Sequence, residues 1–114
     1  LIATNPDPML PVGTGVEPET GAVIAFLEAA SGQAAYVVGK PNKIIFQQAL
    51  AKLSCAAEAV AVVGDTAATD IAGATASGLR SIQLASGNPG TPGEPHQPTL
   101  HMASLVELAE RLEN

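Results

Sequence analysis

The segment AVAVVG, residues 59–64, is an unbroken apolar run that leads into a Gly-Asp pair. A strand without polar alternation is typical of a parallel sheet whose two faces are both covered by helices. The next segment, TAATDIAGATASG (residues 66–78), has helical spacing and many small side chains, which allow close packing on a sheet. This strand–helix unit therefore favours an α/β layer fold with a mainly parallel sheet.

Short apolar runs alternate with helical patterns along the whole chain, and its 114 residues suit one domain, residues 1–114. The other predicted strands are LIAT (1–4), AAYVVGKP (34–41), RSIQLAS (80–86) and TLHMA (99–103). The other predicted helices are PETGAVIAFLEAASG (18–32), NKIIFQQALAKLS (42–54) and SLVELAERLEN (104–114). Two segments rich in Pro and Gly, residues 5–15 and 87–98, are predicted to be loops. The expected architecture is a Rossmann-like three-layer sandwich.

Local signals mark the ends of two of these helices. Pro18 suits the first turn of its helix, Glu19 suits the positive end of that helix, and Gly32 suits the position where the helix stops. Ser104, followed three residues later by Glu107, has the pattern of a capping box. These signals predict helix boundaries near residues 18, 32 and 104.

The charge balance narrows the possible partners. Eleven acidic residues against five basic ones give a net charge of −6. Proteins that bind nucleic acid take much of their affinity from clustered Lys and Arg, so no nucleic-acid partner is expected. A small phosphorylated substrate stays compatible with this charge, because a cation can lie between carboxylates and a phosphate.

Cysteine content and hydropathy bear on the compartment. Cys55 is the only cysteine, so no internal disulfide can form, which fits a reducing cytoplasm. No apolar run reaches about 18 residues and no signal-peptide pattern opens the chain, so no membrane partner is expected. The chain starts at Leu1, inside an apolar run and without Met. We interpret this as an internal start, with a cytoplasmic location.

Two aspartates follow the strongest strand. Asp65 comes directly after Gly64, and Asp70 lies five residues later, in the first turns of the next helix. Ligands of parallel α/β sheets bind beyond the carboxyl ends of the strands, where both side chains can point. Two acids there can hold a hard cation such as Mg²⁺. The alternative is structural, because Gly-Asp often forms a turn and an acid near a helix start often caps it.

A second polar group ends the strand before it. Gly39, Lys40 and Pro41 lie between a predicted strand and a predicted helix. Lys40 could neutralise a phosphate as a point charge, although alone it reads better as a solvated lysine at a turn. Taken with the two aspartates, one strand–helix unit later, it predicts a site for phosphoryl transfer, which requires charge stabilisation of the transferred group.

Other polar residues give weaker indications. Thr4 and Asn5 follow the first strand and could donate hydrogen bonds to a substrate, although Asn-Pro segments are more often plain turns. His96 and His101 have no Cys or acid pattern around them, so we interpret them as solvated histidines rather than a zinc site. Neither a Walker motif nor a Gly-x-Gly-x-x-Gly motif is present in the sequence.

These motifs together resemble a known family. VVGKP followed by VVGDTAATDIAGATASGL is similar to the C-terminal half of the core of the haloacid dehalogenase (HAD) superfamily. LIATNPDP, GTG and EPETGAVIAFLEAASG resemble more narrowly its large-cap branch. That branch includes NagD-type nucleotide phosphatases, 4-nitrophenylphosphatases, phosphoglycolate phosphatases and pyridoxal phosphatases. The resemblance covers residues 1 to about 87.

The resemblance implies a role for each matching residue. Lys40 would hold the nucleophile and the phosphoryl group, and Asp65 would bind Mg²⁺. Asp70 would be the second acid, which orients metal-bound water or supports the site. Asn5, with Thr4, would lie near the substrate. The turns would be shaped by Gly39, Pro41 and Gly64.

The sequence also departs from the family pattern. The family uses an Asp nucleophile in an Asp-x-Asp motif, and no Asp-x-Asp occurs in these 114 residues. We therefore expect the chain to be part of a Mg²⁺-dependent phosphatase of small phosphate monoesters, without the cap and the nucleophile strand, and inactive alone. It would pair with the missing N-terminal half.

Two other functions stay open. The chain could be a non-catalytic binding or assembly module that self-associates through exposed sheet edges. A receiver-like signalling domain is less favoured, because Lys40 precedes the Asp pair and the phospho-accepting Asp is missing.

Overall fold

The computed structural model describes residues 1–86 and 96–113. The strands are β1 (Ile2–Ala3), β2 (Met9–Val12), β3 (Gly15–Pro18), β4 (Tyr36–Val37), β5 (Ala61–Gly64), β6 (Arg80–Leu84) and β7 (Leu100–Met102). The α-helices are α1 (Thr20–Ser31), α2 (Lys43–Leu53), α3 (Ala72–Ala76) and α4 (Leu105–Leu112). A 3₁₀ turn (Ala57–Ala59) precedes β5, and a π-helical turn (Ala67–Ile71) leads into α3. Most of the loop predicted at 87–98 lies outside the described residues.

The strands that lead into the predicted site residues, β1, β4 and β5, are all parallel to the strands they pair with. β1 pairs with β4, and β5, β6 and β7 form a second sheet in that order. Within the described residues these two parallel groups are separate sheets. The mainly parallel α/β architecture predicted from the sequence is confirmed, and the carboxyl ends of β4 and β5 are both followed by polar loops.

The prediction of a loop over residues 5–15 was wrong. β2 and β3 form an antiparallel hairpin in which Val12 faces Gly15 across a two-residue turn. Gly13 has φ +50°, a left-handed conformation that glycine adopts without strain. The prolines are compatible with this ribbon, since both strands of a two-stranded sheet are edge strands. Pro18 accordingly ends β3 instead of starting α1, and Glu19 takes the N-cap position of that helix.

A small core joins α2, α3 and the second sheet. Phe46, Ala74 and Leu79 are buried together, with Leu50 and Val62 packed against them. Gly73 lies against the Phe46 ring, where a Cβ would overlap it. The small side chains after β5 therefore let α3 approach α2 closely.

The ends of α1 and α4 follow the sequence signals in part. Gly32 ends α1 in a left-handed conformation, φ 67°, as predicted. At α4 the Ser104 side chain accepts a hydrogen bond from the Glu107 N–H (3.2 Å), and the Glu107 carboxylate accepts one from the Ala103 N–H (2.7 Å). This bond, together with the neighbouring Arg111 guanidinium, lowers the pKa of Glu107. The predicted cap at Ser104 is confirmed, but the box differs in its return bond, because the Glu107 carboxylate accepts from the N–H of Ala103 and not from that of Ser104.

In residues 1–86 and 96–113, none of the helices is both long enough and apolar enough to cross a bilayer.

Candidate functional site

Lys40 and Asp70 meet where the loops after β4 and β5 come together. The Lys40 Nζ lies 2.6 Å from the Asp70 Oδ1, although the two residues are 30 positions apart in the chain. The Lys40 side chain is 49 % exposed, whereas that of Asp70 is 8 % exposed. The ion pair thus fixes a lysine whose ammonium group still reaches the surface of the protein.

The other oxygen of Asp70 organises the loop after β5. Its Oδ2 accepts hydrogen bonds from the backbone N–H groups of Asp65 and Thr66, both 3.1 Å long. The backbone N–H of Asp70 returns a bond to the Thr66 carbonyl (2.9 Å) at the start of the π-helical turn. Charge-assisted bonds of this kind are among the stronger hydrogen bonds in proteins. Asp70 therefore connects the loop after β4 to the loop after β5.

Two glycines make room for these contacts. A Cβ on Gly64 would overlap the Asp70 side chain, and a Cβ on Gly39 would overlap the Thr4 carbonyl. Neither glycine has a positive φ, so close approach, and not backbone freedom, is the reason for glycine at both positions. Both residues were expected from the sequence only to shape turns, and this packing is an additional reason for glycine at each position.

Asn42 and Pro41 complete the loop after β4. The Asn42 side chain accepts a hydrogen bond from the Ile44 N–H (3.1 Å) and donates one to the Val37 carbonyl (2.9 Å). Asn42 thereby caps α2 and ties it to β4. The Lys40–Pro41 peptide bond is cis.

Asp65 lies at the end of β5 with its carboxylate more loosely bound than that of Asp70. Its oxygens accept hydrogen bonds from the Thr66 hydroxyl (3.3 Å) and the Ser86 hydroxyl (3.4 Å). These long bonds to neutral donors leave acceptor capacity on both oxygens. Asp65 is therefore the carboxylate of the pair that is available to a ligand.

The donor set fits Mg²⁺ as a partial site. Mg²⁺ is usually held by one or two carboxylates together with waters and substrate phosphates, and Asp65 offers one such carboxylate. Both oxygens of Asp70 are already engaged. Among residues 1–86 and 96–113, no three acid, His or Cys side chains form a metal-binding cluster.

A cavity of about 580 Å³ opens beside Lys40. Its polar lining includes Thr4 and Asn5, whose predicted role in binding a substrate stays a prediction, and also Thr66 and Thr69. The other lining residues are Asp7, Pro8, Met9, Glu19, Gly39 and Ile45. The volume suits a small organic ligand. Asp65 is not among the lining residues.

Some lining residues were not predicted from the sequence. Thr66 and Thr69 follow the Gly-Asp pair at the turn before α3. Their position just after the end of a strand could have indicated that they line a ligand site. Glu19 was assigned only to the start of a helix. Of the two histidines, His101 is exposed as expected, whereas His96 is partly buried.

Comparisons of this chain with a family model and with individual proteins agree on one family. Residues 37–108 match the family model described as HAD-hydrolase-like. The chain is similar to dihydroxyacetone phosphatase of Corynebacterium glutamicum (33 % identity, covering 96 % of this chain and 41 % of the relative). It is similar to the ribonucleotide monophosphatase NagD of Escherichia coli K12 (41 % identity, covering 76 % of this chain and 34 % of the relative).

A solved structure shows the same fold. The glycerol phosphate phosphatase from Mycobacterium tuberculosis, in complex with magnesium, superposes with a TM-score of 0.78 and 36 % identity. The match covers 91 % of this chain and 32 % of that one. The chain thus spans well under half the length of each of these three proteins.

Proposed function

Because this chain belongs to the HAD-like hydrolase family, in its NagD-like branch, we propose that it supplies the charge-stabilising part of a phosphatase site for small phosphate monoesters. The observation that carries this proposal is the 2.6 Å ion pair between Lys40 and Asp70, which joins the loops that follow β4 and β5. It holds a half-exposed ammonium group beside a cavity of the size of a small ligand.

Lys40 provides the positive charge for the transferred phosphoryl group. Its Nζ is held by Asp70 and the residue lines the cavity, so the charge needs no reorganisation when negative charge develops on the phosphoryl oxygens. Asp70 acts as a positioning residue through its bonds to Lys40 and to the loop after β5. A direct role of Asp70 as a metal ligand stays a prediction.

Thr4 and Asn5 bind the substrate from the end of β1. Asn5 Oδ1 accepts a hydrogen bond from the Asp7 N–H (3.0 Å), which orients the amide. The Asn5 side-chain N–H groups, with the hydroxyl of Thr4, are then donors for ester or phosphate oxygens in the cavity.

Asp65 is the residue that would hold Mg²⁺. The loop bonds from Asp65 and Thr66 to Asp70 fix the backbone on which the Asp65 carboxylate stands. A bound Mg²⁺ supplies charge neutralisation of phosphoryl oxygens. The structures of the M. tuberculosis relative in complex with magnesium and in complex with calcium support a divalent cation as the ligand.

The nucleophile is proposed to come from another segment of the protein. Hydrolysis through an aspartyl-phosphate needs an Asp that attacks phosphorus, and these 114 residues hold no Asp-x-Asp pair. They span 34–41 % of the curated relatives named above, which leaves room for it elsewhere.

The experiment compares the full-length gene product with the 114-residue chain. With 4-nitrophenyl phosphate and Mg²⁺ we expect turnover by the full-length protein, loss of that turnover on chelation of Mg²⁺ or in Asp65→Ala, and no turnover by the 114-residue chain. Spectrophotometric detection of 4-nitrophenol measures all four. Steady Mg²⁺-dependent turnover by the pure 114-residue chain, abolished by Asp65→Ala, would disprove the division of the site proposed here.

A second candidate is an assembly module that self-associates through its sheet edges. Apolar side chains on the short parallel strands are exposed, with Ile2 73 %, Tyr36 57 % and Val63 40 % accessible. Exposed strand edges with apolar side chains recruit further strands.

Sedimentation of the 114-residue chain tests this candidate. We expect a mass that rises with concentration, and a lower mass for Tyr36→Lys, because a charge on an edge strand opposes pairing. Phe26→Lys, at an exposed position of helix α1, is the matched control and should leave the mass unchanged. A monomer at all concentrations would rule the module out.

A further inference from the structure

The cavity beside Lys40 is lined by residues of both charges. Lys40, Thr66 and Thr69 line it from the segments that follow β4 and β5, and Asp7 and Glu19 line it from the segments before β2 and before α1. A space of about 580 Å³ is roughly 10 Å across, so a ligand that touches Lys40 also lies within reach of Asp7 and Glu19.

Neither of these carboxylates is neutralised within the described residues. Glu19 is the N-cap of α1 but makes no side-chain capping bond. The side chains of Asp7 and Glu19 have no hydrogen-bond or ion-pair partner in residues 1–86 and 96–113. Their negative charge therefore acts on whatever occupies the cavity.

Hydrogen bonds and close packing hold the backbone at Asp7 and Glu19 in place. The Glu19 N–H donates to the Pro8 carbonyl (3.1 Å), and the Gly21 N–H donates to the Asp7 carbonyl (2.7 Å). A Cβ on Gly21 would overlap the carbonyl of Pro6, so the loop and the start of α1 are packed directly against each other. The backbone that carries the two carboxylates is thus fixed beside the cavity.

We propose that Glu19, assisted by Asp7, is a specificity-determining residue that selects phosphate esters of neutral, hydroxyl-bearing alcohols and rejects esters that carry a second anionic group. This inference rests on the proposed phosphatase function. The phosphate lies at the Lys40 side, the hydroxyls of the alcohol donate to the carboxylates of Glu19 and Asp7, and a carboxylate or second phosphate in that place is repelled.

The size of the effect follows from Coulomb's law. Two like charges about 7 Å apart repel enough to change a rate about threefold in water, and by more at the lower effective dielectric constant of a protein surface. Neutralising Glu19 should therefore change the relative rates for the two substrate classes by about fivefold or more. Because the acids are partly solvated, rising salt should weaken the discrimination.

The test measures kcat/KM of the full-length protein for glycerol 3-phosphate and for 2-phosphoglycolate, two esters of similar size that differ in the second charge. We expect the first to be preferred, and we expect Glu19→Gln to lower the ratio of the two values about fivefold, with a further decrease in Asp7→Asn/Glu19→Gln. Glu17→Gln is the matched control, since Glu17 is exposed on β3 and does not line the cavity. Its ratio should equal that of the wild type.

The possible results distinguish a failure of the Glu19 assignment from a failure of the phosphatase proposal. Hydrolysis of both esters with a ratio that is unchanged by Glu19→Gln, or changed equally by Glu17→Gln, would overturn the assignment of Glu19 and leave the phosphatase proposal standing. Hydrolysis of neither ester, nor of 4-nitrophenyl phosphate, would overturn the phosphatase proposal and this inference with it. A ratio that falls in Glu19→Gln and falls in the wild type at high salt supports the inference.

Discussion

Replacing Lys40 by methionine in the full-length protein is expected to lower kcat/KM for phosphate monoesters by a factor of about 10² to 10³, the usual effect of removing one preorganised stabilising group. The ammonium group is held 2.6 Å from Asp70 and lines the cavity, so its charge is in place before the phosphoryl group arrives. Methionine keeps the length of the side chain and removes the charge. Steady-state kinetics with 4-nitrophenyl phosphate measures the loss.

A matched control separates this effect from a general loss of positive charge. Lys43 is exposed on the first turn of α2, three residues after Lys40, and lies outside the cavity lining. Lys43→Met should keep kcat/KM within about twofold of the wild type, as expected for a screened surface charge. Urea unfolding of both variants checks that they are folded. Equal kinetic losses in the two variants would contradict the assignment of Lys40.

Introducing a side chain at Gly64 is expected to destabilise the fold strongly. In Gly64→Ala the new Cβ overlaps the Asp70 side chain, which cannot move away without breaking its bonds to Lys40 and to the Asp65 and Thr66 N–H groups. Overpacking of a tight site costs about 1–3 kcal/mol, and the loss of the Asp70 bonds adds to that. We expect the free energy of unfolding, measured by urea denaturation, to fall by at least about 2 kcal/mol.

Gly15 provides the control for the same chemical change. A Cβ there would be 4.0 Å from its nearest neighbour, the Val12 carbonyl, which is ordinary contact. Gly15→Ala should therefore change the free energy of unfolding by less than about 0.5 kcal/mol. In the double variant Gly64→Ala/Asp70→Ala the overlap is removed, so its loss should be smaller than the sum of the two single losses. Additive losses, or a Gly64→Ala variant as stable as the wild type, would show that the contact between the two residues is unimportant.

The sequence predicted the layer architecture because hydrophobic periodicity and the position of glycines are local properties. Two motifs that follow predicted strands, Gly-Lys-Pro at 39–41 and Gly-Asp at 64–65, were sufficient to place Lys40 and Asp70 near the carboxyl ends of neighbouring parallel strands. The direct pairing of these two side chains depends on how the loops after β4 and β5 pack, which no local pattern records. From the sequence, Asp70 was interpreted as a second acid that binds the metal, orients metal-bound water or supports the site, with a helix cap as the alternative. In the structure both of its oxygens are engaged, one by Lys40 and the other by backbone N–H groups.

The hairpin over β2 and β3 was missed for a related reason. Three prolines between residues 5 and 15 indicated a loop. Pro6 and Pro8 precede β2, and only Pro11 lies within it, where the missing N–H group of an edge strand can face away from the partner strand. Glu19 was consequently assigned to the first turn of a helix that was expected to begin at Pro18. Only the three-dimensional fold shows that its carboxylate lines the cavity beside Lys40.

Lys40 and Glu19 line the same cavity but belong to different segments of the chain, and this has an evolutionary consequence. The residues proposed for chemistry follow β4 and β5, while Glu19 stands where β3 meets α1 and shares no hydrogen bond with Asp70. A single substitution at position 19 can therefore alter the charge of the cavity lining and leave the Lys40–Asp70 pair intact. Paralogues of this protein could diverge in the ester that they accept by drift at this junction, one residue at a time, while the reactive end stays under purifying selection.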